Sequence, residues 1–247
     1  MYDLPIYVWA LILVGAIGIP AATSAVLYRG AIAAGLGRRA ATAVTATTAT
    51  VLGGWLVISG LLAGASVYRQ DPGETVPWFL VAVGGTLITL LLATRIPFIS
   101  RILSDPGTPA RLALPHSLRV VGVSFLIVMA LGHLPAAFAI SAGLGDIAIG
   151  MAAPFVALQL ARGTGSAGAV LFNVLGILDL VVAGILGFLL FRLVEVTPST
   201  APLFVLTLAL IPTVAVPLAI TLHIVSLLHC HNLEHEGMMM MANFEVV

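Results

Sequence analysis

The sequence predicts an all-α integral membrane protein, a bundle of about seven transmembrane helices followed by a short C-terminal tail. Three observations predict it. Of 247 residues, 60% are hydrophobic and only 8% are charged, whereas soluble domains carry roughly 25% charged residues. The apolar residues gather into seven runs, each near the about 20 residues that cross a bilayer as a helix. Lipid tolerates only helices or closed barrels, and these runs are too long and continuous for barrel strands. The predicted division is a transmembrane domain over 1–228 and a tail over 229–247.

The first run is Ile6 to Leu27. The MYDLP ahead of it has no basic n-region, so a retained anchor is expected rather than a cleaved signal peptide. Ala41 to Ala65 follows and includes the AlaThr-rich stretch 40–50 and Gly53-Gly54; Val76 to Thr94 carries Gly84-Gly85. Such small residues let helices approach closely in lipid. The long polar connection from Arg95 to Arg119, with Asp105-Pro-Gly-Thr-Pro109 as its turn, reads as a solvated cytoplasmic loop. Val120 to Phe138 and Gly143 to Ala161 come next, divided by Leu134-Pro135 and a Gly143-Leu-Gly-Asp146 turn. The sixth run is Ala169 to Leu190 and the seventh Leu203 to Leu228, which Pro212 and Pro217 should kink.

Arginine placement predicts the orientation. All ten basic residues are Arg. Eight (Arg29, Arg38, Arg39, Arg95, Arg101, Arg111, Arg119, Arg162) fall on one side of the predicted topology, and Arg69 and Arg192 on the other. The expectation is an inner (plasma) membrane protein of bacterial type, N-terminus outside and C-terminus in the cytoplasm. A net charge of zero gives no reason to expect nucleic acid as a partner. The lipid bilayer is the expected partner, with other membrane subunits or a homo-oligomer alongside. One Cys excludes an intrachain disulfide. No nucleophile triad, phosphate-cradling loop or metalloprotease helix is present, so hydrolytic and nucleotide-driven activities find no support.

Polar residues inside the runs are the first functional candidates. Asp179 lies ten residues into the sixth run, where a charge costs about 2.5–3.5 kcal/mol and faces the bundle interior. At about 100° per residue, Asn173, Gly176, Asp179, Ala183 and Gly187 share one narrow face. That face suits either a proton or cation site or a hydrogen bond between helices. His133 sits near the outer end of the fourth run and Asp146 opens the fifth as an expected N-cap, so the two could pair across the turn. His223 lies on the last run as a hydrogen-bonded core histidine; haem ligation lacks a spacing signature here.

The tail, Leu228 to Val247, reads LHCHNLEHEGMMMMANFEVV. It holds the only Cys, Cys230, with His229, His231 and His235 and the run Met238 to Met241. Thiolate, imidazole and thioether form a donor set that suits copper. The run resembles the C-terminal motif of multicopper oxidases, His-Cys-His-x3-His-x4-Met. The resemblance implies a copper cofactor with Cys230, His235 and Met240 as blue-copper ligands, and His229 and His231 as ligands of an adjacent cluster. The family's upstream His-Pro-x-His-x-His-Gly stretch is missing and the chain has six His in all, so a complete oxidase in one chain is excluded. On an extended tail, alternate side chains would serve different centres. On a helical one, His231 and His235 stand at i and i+4 with Met238 one turn on.

Three functions follow as expectations. The first is copper handling, or a linked redox step, at the cytoplasmic C-terminus. The second is a small-solute or ion transporter whose path passes Asn173 and Asp179. The third is a structural subunit of a membrane redox complex.

Overall fold

The computed structural model is all-α, with no strand among the described residues. It describes residues 4–69, 77–192 and 196–242, apart from the side chains of 192 and 230–242. Six helical segments are long and apolar enough to cross a membrane, and a seventh counts if a helix pair bent by 81° is one span.

Helix α1 (Ile6–Ala33) turns through Gly35, at φ +75°, into α2 (Arg38–Gly64). Helix α3 (Trp78–Ala93) and the short α4 (Pro97–Leu103) form the bent pair. Pro97 breaks the run: it is favoured in a first helical turn and drives the residue before it out of helical geometry.

The next span departs from expectation. It runs over Thr108–Ala130, twelve residues upstream of the predicted start at Val120, as α5 (Thr108–Ala113), a 3-10 stretch (Leu114–Gly122) and α6 (Val123–Ala130). The expected cytoplasmic loop up to Arg119 is therefore largely helix, and Arg119 is inside the bundle. The reason is electrostatic. Arg111 is ion-paired with Asp105, and Arg119 is neutralised by carboxylates from two other helices, so neither needs water.

Helix α7 (Ala136–Ala161) likewise starts earlier than the predicted Gly143, and Gly143 to Asp146 is helix interior. The real divider is Gly132, at φ +78°, with Pro135 capping α7. Gly143 and Gly145 serve close packing instead of a turn: added side chains there would strike Leu126 and Asp179. Helix α8 (Ser166–Arg192) matches the sixth run. The last span begins with a π turn (Ile211–Ala215) at Pro212 and continues as α9 (Val216–Ala242). Residues 201–204 form a short 3-10 turn ahead of it.

The 3-10 stretch packs most heavily on α7, and α7 on α8, with α1 and α9 closing the centre. Apolar side chains fill both halves, with Val8, Ile12, Phe125, Phe138 and Leu208 towards one end and Ile19, Leu112, Leu218 and Leu222 towards the other. A hydrogen-bond chain ties α2 to the π turn. Thr213 Oγ1 donates to the Ala209 carbonyl at 2.6 Å, so the Ser59 hydroxyl donates to Thr213 (2.7 Å) and Tyr68 donates to Ser59 (3.1 Å). Trp55 Nε1 also donates to the Thr213 carbonyl at 2.9 Å, satisfying an acceptor at the irregular turn.

Candidate functional site

At three residues per turn, positions i and i+3 of a 3-10 helix eclipse one another. The Leu114–Gly122 stretch thus brings His116, Arg119 and Gly122 into one row, and all three are buried. Arg119 is 3% exposed and directs its guanidinium at three helices. Its Nε donates to Asp146 Oδ1 of α7 at 2.7 Å and its Nη2 to Asp179 Oδ2 of α8 at 2.5 Å. Its Nη1 lies 3.0 Å from His223 Nε2 of α9.

The guanidinium has only protons to give, so His223 Nε2 accepts and the ring proton sits on Nδ1. Nδ1 then donates to Asn173 Oδ1 at 2.9 Å, and Asn173 Nδ2 donates to the Ala169 carbonyl and to Ser226 Oγ. His116 lies flat against the His223 ring, centroids 3.7 Å apart, and Phe172 meets both rings edge-on. Neither nitrogen of the buried His116 has a hydrogen-bond partner.

Glycine makes this crowding possible. A Cβ at Gly122 would fall on the Asp146 side chain, one at Gly145 on the Asp179 carboxylate, and one at Gly176 on the His223 imidazole. Each charged or polar head is received by a glycine on a neighbouring helix. A cavity of about 30 Å³ borders Arg119 and Asp146, enough for one water.

The sequence-predicted residues divide as follows. Asn173, Asp179, Asp146 and His223 meet in this one centre. Asp146 does not cap a helix start: it lies ten residues past Ala136, about 15 Å along α7 at 1.5 Å per residue. Its partner is Arg119 rather than His133, which is half-buried in the turn before α7. The backbone of His229, Cys230, His231, His235 and Met240 is part of α9, while the side chains from Cys230 onward lie outside the described residues. No group of three His, Cys, Asp or Glu side chains is poised for a metal among the described residues.

Arg119, His116 and Ser226 are members of the centre that the sequence reading missed. A signal existed: Thr108–Ala130 remains apolar enough for a span with both arginines inside it.

A family model described as Domain of unknown function (DUF8737) matches residues 76–230, well over half of the chain. The chain belongs to this family. No curated protein and no solved structure matches it. The DUF8737 segment contains every residue of the Arg119 centre and leaves out α1, α2 and the residues after Cys230, so His231, His235 and Met240 fall beyond it.

Proposed function

We propose that this DUF8737 protein is a proton-linked membrane transporter whose ion-handling centre is Arg119 with Asp146, Asp179 and His223. The observation that carries the reading is the guanidinium held between two carboxylates and an imidazole in the middle of the bundle. Ionisable groups at this depth are costly and mark ion pathways or proton relays. Two carboxylates against one guanidinium leave the centre one positive charge short of neutrality, and a proton or small cation completes it. The neighbouring cavity has room for one water, which would give that proton a first acceptor outside the network. The 3-10 stretch that carries Arg119 is of a kind often found at functional hinges. The arginine bias supports a plasma-membrane setting with the C-terminus in the cytoplasm.

The test is proton flux into pyranine-loaded proteoliposomes driven by a potassium diffusion potential. The wild type should acidify the lumen, and Asp179→Asn should abolish the signal. A chain ending at His229 should keep it. Full flux in Asp179→Asn protein that remains folded would refute the reading.

Copper handling is a second reading, favoured by the resemblance of the tail and by the helical backbone through Ala242, which sets His231, His235 and Met238 at i, i+4 and i+7. It predicts copper bound in proportion to protein and lost in Cys230→Ser; copper-free wild type after growth in copper-replete medium would remove it.

A further inference from the structure

Two apolar cavities lie end to end between α2 and α3, the second backed by α1, α5 and α9. The larger, about 570 Å³, is lined by Trp55, Leu62, Tyr68, Trp78, Gly85 and their neighbours. The smaller, about 250 Å³, extends it past Thr47 and Thr48 towards Thr94, Ile96, Ile99 and Leu103. They share Val51, Leu52 and Leu90 in their walls, so they form one groove. From Thr47 to Leu62 the groove follows α2 for fifteen residues, about 22 Å at 1.5 Å per residue. That is much of the about 30 Å hydrocarbon depth of a bilayer. It therefore lies parallel to the helices, the direction in which acyl chains lie, and lipid is the medium on its open side.

The two ends differ in chemistry. One has the aromatic rings of Tyr68 and Trp78, with Trp55 midway along the groove. The other is basic. Arg95 stands between the lining residues Thr94 and Ile96; Arg101 lies at the same end, on the face of α4 turned away from the lining Ile99 and Leu103; both are exposed. Arg38 and Arg39, also exposed, open α2 at the same end, where Ala41 and Val44 pack with Ile102 and Leu103. Among described side chains, Asp105 is the one carboxylate at this end, and Arg111 already holds it. An apolar slot with an unneutralised guanidinium rim fits an amphiphile with an anionic head.

We propose that the groove holds one anionic phospholipid, its acyl chains between α2 and α3 and its phosphate on Arg95, with Arg101, Arg38 and Arg39 adding to the local field. The site is separate from the Arg119 centre, shares no residue with it, and takes its ligand from the surrounding bilayer.

Trp55 and Trp78 report on the groove directly. Full-length Trp9→Phe protein is placed in phosphatidylcholine vesicles containing a small fraction of brominated-acyl lipid, either phosphatidylglycerol or phosphatidylcholine. Bromine quenches tryptophan on contact, so an enriched lipid quenches beyond its bulk share. Brominated phosphatidylglycerol should quench several-fold more than brominated phosphatidylcholine. The double variant Arg95→Gln, Arg101→Gln should bring the two to the same level. Gly85→Phe, where an added Cβ meets no neighbour within 4 Å and a ring would extend into the slot, should reduce the excess by filling it. Equal quenching by the two lipids in the parent protein, or an undiminished excess in the double arginine variant, would overturn the proposal.

Discussion

Arg119 shows how a residue that should be excluded from a membrane interior becomes its centre. An unpaired guanidinium at this depth is costly, and two carboxylates without it are worse off. Deleting one partner of a buried ion pair costs about 3–5 kcal/mol because the other charge stays behind uncompensated. Arg119→Ala should therefore lower the unfolding midpoint in detergent strongly. A triple variant replacing Arg119 with Leu and both Asp146 and Asp179 with Asn should recover much of that loss while remaining inactive in the flux assay. Equal stability of Arg119→Ala and wild type would mean that the centre is not held together by charge. Part of this was legible in the sequence: Asp179 and Asn173 stand out because nothing else polar interrupts their run, and a helical wheel places them on one face. Arg119 was hidden because an arginine at the edge of an apolar run looks like a loop anchor until its counter-charges are known. Those come from positions 27 and 60 residues further along the chain.

At the scale of the element, the irregular segments are the informative ones. Helices α1, α2 and α8 follow from apolar run length alone, and their predicted and observed limits differ by a few residues at most ends. The α5 to α6 span does not, because apolar content cannot distinguish nine residues of 3-10 geometry from α-helix. Nor does the π turn at Ile211–Ala215, whose proline predicted a bend without its form. That turn depends on α2. Ser59→Ala removes the hydroxyl linking Tyr68 to Thr213 and leaves a buried phenol without its acceptor, an expected cost of about 1–3 kcal/mol. Burial already raises the Tyr68 phenol above its ordinary value, against a smaller lowering by the Ser59 hydrogen bond. Thermal unfolding of Ser59→Ala should show the loss, and Ser59→Thr, which keeps the hydroxyl, should show less. Identical midpoints for Ser59→Ala and wild type would leave the turn supported by packing alone.

For the molecule as a whole, burying Arg119 alters the count behind the proposed orientation without reversing it. Seven arginines remain at the end that carries the α1–α2 turn, α4 and the α7–α8 turn, and two at the opposite end. With α3 taken as a span, the count of crossings is odd, and the proposed topology puts the termini on opposite sides. Reporter fusions give the test: green fluorescent protein should fluoresce when joined after His229, and alkaline phosphatase should be active when inserted in the α6–α7 turn near Gly132. The reverse pair would invert the orientation and place the lipid groove's basic rim in the outer leaflet.

The 3-10 winding of residues 114–122 has a mechanical corollary. It rises about 2.0 Å per residue against 1.5 Å in an α-helix, so rewinding nine residues would draw the two ends about 4.5 Å together. Each turn would also lag by about 60°, swinging the guanidinium out of line with the His116 ring. Length and grip are thus geared to one another: the segment can contract only by loosening its hold on the acidic pair, and restoring that hold stretches it again, as a screw thread converts rotation into travel.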